Sequence, residues 1–243
     1  MNEIPFTVSI EKIKSLEEKD AVKIFKQLLF AETSCCNIHP TKIQITENTK
    51  EADGGIDATL NAIIPETAEG ILKNGQVNYQ IKADAAFSSL SDGIILKEFL
   101  GEGTVKFLKN LSAAETKKRL KPKIKETIEQ GKYYVLVSFK TEAAGTKKQD
   151  AINFIKTILK KCGYNDPKVD IIDSTNLQLS INRHLSIVNR LTSKPNNIYN
   201  IFEVLQWERL NENFYITEEL KEVKKILDNF LAGNSDYRHI RIL

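Results

Sequence analysis

The sequence predicts an α/β fold in which a mixed central β-sheet is flanked by helices in the order α-β-β-β-α-β, followed by a C-terminal helical extension. Three observations carry this. Three short strand-like segments arrive together between residues 41 and 83; strand-like and helix-like segments alternate after them; and "KYYVLVSF" (132–139) is an unbroken apolar run of β formers, the pattern of a buried central strand.

Taken in order, residues 9–32 read as an amphipathic helix, clearest from Asp20 to Glu32, where Ala21, Phe25, Leu28 and Glu32 fall on one face. "TKIQITEN" (41–48) is short and alternating, hence a strand, and "GIDATLNAII" (55–64) and "QVNYQIKA" (76–83) are two more, joined as a hairpin by the turn-rich "PETAEGILKNG". The pattern weakens over 85–113, where "DGIILKEFLGEG" fits one or two short helices of an insertion. Residues 112–131 form a helix stopped by Gly131, and Pro122 inside it means that the helix either starts late, near Lys121, or kinks. After the central strand come a helix over 147–163 closed by Gly163, a strand over 168–173 and a helix over 174–191 opened by a Ser or Thr cap. The polar "TSKPNN" then leads to two helical pieces at about 198–210 and 216–232. The expected division is a domain over 1–191 and a helical connector or assembly segment over 192–243.

Of the 243 residues, 41% are hydrophobic and 28% charged, a normal balance for a globular chain, and the net charge of +3 leaves any polyanion site to local clustering. The three cysteines (Cys35, Cys36 and Cys162) are odd in number and include no C-x-x-C, which argues against a disulfide framework or zinc cluster and for a reducing, cytoplasmic setting. The N-terminus is charged from Glu3 onward and does not read as a signal peptide, and no apolar run reaches the length of a membrane span.

"KEADGGIDATL" (50–60) sets two aspartates around a glycine pair just where a strand begins, and "VNYQIKAD" sets Gln80 and Lys82 two apart on the next strand, hence on one face. If the strands pair, the Asp57 carboxylate and the Gln80 amide oxygen could hold a hard cation such as Mg²⁺, with Lys82 beside it to orient or deprotonate a water or to stabilise charge on phosphorus. Glu32 adds a carboxylate to the inward face of the first helix, costly unless paired or bound to a cation. The plainer readings are that Asp53 and Asp57 shape a turn, that Gln80 and Lys82 form a solvent-facing edge stripe, and that Glu32 sits at an exposed helix end. Taken together, the carboxylate, amide and lysine at hairpin spacing favour the functional reading.

"DGGID" followed by "QIK" resembles the PD-(D/E)xK nuclease superfamily, in the Mrr-like D…QxK variant, and "LLFAE" resembles the helix that supplies an extra acid in that group. "LKPKIKETIEQGKYYVLVSF" and "IIDSTNLQLSINRHLSIVNRL" resemble the N-terminal nuclease modules of bacterial anti-phage STAND NTPases. The resemblance covers most of residues 15–191. It implies a restriction endonuclease-like core and a metal-dependent DNA endonuclease, with Mg²⁺ or Mn²⁺ on Asp57 and Gln80, Lys82 as the catalytic lysine and Glu32 as the helix-borne acid. Many Mrr-like sequences place that glutamate just after the aromatic residue, where this chain has Lys26 after Phe25. The resemblance further implies an anti-phage effector whose helical tail connects to an NTPase or sensor in cis or to copies of itself. The basic run "KKRLKPKIK" (117–125) would then contact DNA phosphates through Lys121, Lys123 and Lys125, although a solvated helix face explains such runs as well. The alternatives are an RNA- or junction-cleaving nuclease of the same fold, or a non-catalytic nucleic-acid-binding or assembly module.

His39, His184 and His239 lack metal-ligand spacing, Cys35-Cys36 has no activating context, and no phosphate-loop motif is present. Trp207 reads as a packing residue.

Overall fold

The five strands lie in the sheet in the order in which the chain makes them: β1 (Ile43–Ile45), β2 (Ala58–Ala62), β3 (Gly75–Lys82), β4 (Tyr133–Ser138) and β5 (Val169–Ile172). β1, β2 and β3 pair antiparallel, as closely spaced strands do, while β3, β4 and β5 pair parallel across long helical connections. The result is an α/β structure with an open, mixed five-stranded sheet flanked by helices. This computed structural model describes residues 7–45, 56–64, 70–143 and 146–192, together with Glu222 and Lys225. The chain divides into two units, Met1–Ser193 and Lys194–Leu243, and the described structure belongs almost wholly to the first. The helices expected at 198–210 and 216–232, and Asp53, Trp207 and His239, lie outside the described residues apart from Glu222 and Lys225.

Both parallel crossovers step in the same direction, so the handedness rule puts their helices on one face. These are α3 (Asp92–Leu100), α4 (Val105–Asn110), α5 (Ala113–Arg119) and α6 (Pro122–Glu129) between β3 and β4, and α7 (Lys147–Lys161) between β4 and β5. Their apolar residues form one core with Tyr134, Leu136, Val169 and Ile171, the alternate residues of β4 and β5 that face them. The opposite face carries α1 (Ile10–Lys14), α2 (Glu18–Cys35), α8 (Ser174–Ile181) and α9 (Leu185–Thr192). There the Phe25 ring of α2 tilts onto the Tyr79 ring of β3 with centroids 5.2 Å apart. Tyr134 through Val137 are fully buried, as expected of the apolar run at 132–139.

Three expected helices are each two. The 9–32 segment breaks between α1 and α2, and α2 runs on to Cys35. The 112–131 segment breaks at Leu120–Lys121. Pro122 takes the first helical position of α6, where its missing N–H costs nothing, while Ser112 and Glu115 form a capping box that starts α5. The 174–191 segment breaks at Asn182–His184, and α8 is capped by Asp173, not by a Ser or Thr: its carboxylate accepts the Asn176 N–H at 2.9 Å. Gly131 and Gly163 follow α6 and α7 at positive φ, the helix-ending role expected of them. Among the described residues, no helix is long and apolar enough to cross a membrane.

Candidate active site

Along β3 the side chains alternate, so Asn78, Gln80 and Lys82 share the face of the crossover helices while Val77, Tyr79 and Ile81 face α2. Asp57 immediately precedes β2, whose first residue, Ala58, pairs with Tyr79, and this brings Asp57 beside Gln80. Its own N–H donates to the Tyr79 carbonyl at 2.9 Å, and its Oδ2 accepts the Ile81 N–H at 2.6 Å. Asp57 therefore continues the β2–β3 pairing ahead of the first residue of β2, and its carboxylate is held by the β3 backbone.

Helix α3 adds a residue that the sequence reading missed. Glu98 lies on the buried side of α3, 6% exposed, over Gln80, which is 1% exposed. The Gln80 Nε2 donates to Glu98 Oε1 at 2.7 Å, and the Tyr134 hydroxyl donates to Gln80 Oε1. Lys82 Nζ stands 3.1 Å from Glu98 Oε2, and Lys121 Nζ stands 2.5 Å from Oε1. A buried carboxylate without such partners would cost several kcal/mol. Burial, then the negative charges of Glu98 and Asp57, hold the Tyr134 hydroxyl well above its ordinary pKa, so both carboxylates act on one phenol. The cluster holds two carboxylates and two ammonium groups, which balance. A sequence signal for Glu98 existed: it falls four residues after Ile94 and three after Ile95, an acid on the apolar side of a helix, the same argument that singled out Glu32.

Glu32 lies elsewhere. It is on α2, across the sheet from Gln80 and Lys82, where it meets Arg183 Nη2 at 2.7 Å and His184 Nε2 at 3.3 Å. The structure thus sets Asp57, Gln80 and Lys82 on one face of the β2–β3 pair and gives Glu32 partners from the α8–α9 junction. Three lysines of the basic run have carboxylate partners. Lys117 pairs with Glu129 at 3.3 Å, Lys121 with Glu98, and Lys123 with Glu126 at 3.1 Å. Lys125 is half-buried, and after the hydrogen bond from the Tyr164 hydroxyl and the contact with Lys117 it adds to what holds the Glu129 carboxyl below its ordinary range. The cysteines are free, and burial pushes the Cys162 thiol up to about 11.

Among the described residues, no group of three or more His, Cys, Asp or Glu is placed to hold a metal ion. Counting the amide oxygen of Gln80, the cluster offers only oxygen donors: Asp57, Glu98 and Gln80. That set fits Mg²⁺ or Mn²⁺, which take one or two carboxylates and complete their shell with water, and does not fit zinc. For Glu98 to serve, Lys82 and Lys121 would have to yield an oxygen. Compared with protein-family models, curated proteins and solved structures, the chain matches none.

Proposed function

We propose that this chain is a divalent-metal-dependent DNA endonuclease built on a restriction endonuclease-like core, the effector of a bacterial anti-phage system. The observation that carries the reading is that Asp57, Gln80 and Lys82 stand on one face of the β2–β3 pair around a buried Glu98. The resemblance of "DGGID" and "QIK" to the Mrr-like D…QxK pattern supports it.

When bound, Mg²⁺ or Mn²⁺ would polarise the phosphodiester and acidify a water. The residues of the chain do the rest. Asp57 holds its carboxylate still through the Ile81 N–H. Gln80 fixes the distance between β3 and α3 by bonding Glu98 with one end of its amide and Tyr134 with the other. Lys82, with its side chain 20% exposed, is the cluster's ammonium on β3, placed to orient the attacking water or to stabilise charge on phosphorus once Glu98 releases it. The segment 192–243 would connect the domain to a sensor or to other copies of the chain.

A second reading has its own observation. Gln80 is hydrogen-bonded at both ends of its amide and Glu98 is met by two lysines, which suits a non-catalytic module with a satisfied polar network. Supercoiled plasmid with Mg²⁺ or Mn²⁺ separates the two. Wild-type protein at high concentration should nick it, and Asp57→Asn and Lys82→Ala should each lower the rate by about 100-fold or more. Asparagine keeps the acceptor for the Ile81 N–H, so the loss would not be a loss of fold. Equal rates for wild type and both variants would end the catalytic reading. Single-stranded DNA and RNA in parallel identify the preferred polymer.

A further inference from the structure

The two halves of the sheet are covered differently. In the parallel half both faces are buried. In the antiparallel half the face bearing Ile43, Leu60 and Val77 is buried, but among the described residues the opposite face of β1 and β2 is not covered by a helix. Asp57 and Gln80 lie on the same side of the sheet, but there α3 covers it: Gln80 is buried under Glu98, and Asp57 is half-buried. Reading outward from them, the next row is Thr59 opposite Asn78, with Gln44 beside Thr59, and the row after is Asn61 opposite Gln76. Gln44, Asn61 and Gln76 are exposed. Asn78 is oriented by α6, donating from Nδ2 to the Thr127 hydroxyl at 2.7 Å.

These rows form the floor of a cavity of about 310 Å³. Lys42, at the end of the 3-10 turn Pro40–Lys42, stands on one side, and Lys132, leading into β4, stands on the other. Apart from Leu60, the lining is amide, hydroxyl and ammonium, and among the described residues no carboxylate belongs to it. Such a surface complements a polyanion that also offers hydrogen-bonding edges. Amides read base edges, and lysines and hydroxyls meet phosphates. Small acidic metabolites would need neither so long a row of amides nor its continuity with the carboxylate row.

We infer that this polar sheet face, Gln44, Thr59, Asn61 and Gln76 between Lys42 and Lys132, is the surface on which double-stranded DNA docks, with the half-buried Asp57 at its inner edge. The choice of DNA as occupant rests on the nuclease reading above; the placement rests on the sheet.

Binding measured without turnover tests the placement. Full-length protein in EDTA is titrated into a short fluorescein-labelled duplex and anisotropy is followed at several salt concentrations. Lys42→Ala/Lys132→Ala should bind at least about tenfold more weakly, with a salt slope smaller by about one per lysine. Gln44→Ala/Asn61→Ala/Gln76→Ala should also bind more weakly, with the slope unchanged. Wild-type affinity in both surface variants overturns the inference, as does an absence of duplex binding or stronger binding of single-stranded RNA at this surface. If the surface variants lose binding while Asp57→Asn cleaves plasmid like wild type, the docking surface stands and the nuclease reading falls.

Discussion

A glutamate at position 80 would face Glu98, because the Gln80 amide nitrogen lies 2.7 Å from Glu98 Oε1. The amide is therefore matched to its partner: it donates to one acid and accepts from a phenol, which a carboxylate could not do without a proton. Gln80→Glu should lower stability in EDTA by about 2 kcal/mol, since Lys82 and Lys121 compensate part of the repulsion, and added Mn²⁺ should restore part of the loss. Thermal melts with and without metal check this, and an unchanged melt in EDTA would mean that residue 80 does not face Glu98. The alternation of β3 is local, so Gln80 and Lys82 could be put on one face from the sequence alone. Glu98 could not be added to them, because which strand residues α3 covers depends on how the whole insertion folds back over the sheet.

At the scale of elements, the α8–α9 break shows why a continuous helical pattern is not always one helix. Nothing in "STNLQLSINRHLSIVNRL" stops a helix, but distant partners claim its middle. The Asn182 side chain accepts the Val8 N–H at 2.8 Å, and Arg183 and His184 both meet Glu32. These contacts span most of the chain, so no local pattern announces them. The Pro122 break, by contrast, was visible, because proline acts through its own ring. The same junction gives Glu32 a structural task that differs from the one implied by resemblance. Glu32→Gln should lower stability by about 1–2 kcal/mol, less than for a fully buried pair because the Arg183 side chain is 43% exposed. Plasmid cleavage per folded molecule should be unchanged. Lost cleavage with an unaltered urea midpoint would return Glu32 to the catalytic set.

For the molecule as a whole, the sheet is a wall with a large buried phenol on each side. Tyr79 packs under α2, with its hydroxyl donating to the Ile71 carbonyl at 3.1 Å, and Tyr134 packs under α3, edge-on to Phe99. Burial raises the pKa of both phenols, with Asp170 adding to it at Tyr79 and Glu98 and Asp57 at Tyr134. The Cys162 thiol at the end of α7 is raised the same way, from 9.0 to about 11. Each group holds its proton more tightly folded than unfolded. The stability linked to each is therefore full below its unfolded value and is lost as pH rises past it. Cys162 begins the decline at about pH 9, and the two tyrosines join from about pH 10. Because Tyr79 and Tyr134 are each buried in the core on their own face of the sheet, neither can ionise without opening that core. Urea midpoints should accordingly hold steady from about pH 7 to 9 so far as these groups are concerned, then fall steeply. The last tyrosinate absorbance should appear together with the loss of ellipticity. Cys162→Ala should remove the first part of the decline, and Tyr134→Phe should soften the second while leaving the Gln80 amide oxygen without its donor. Full tyrosinate absorbance in a chain that is still folded would show that the two phenols are not sealed within the sheet's two cores.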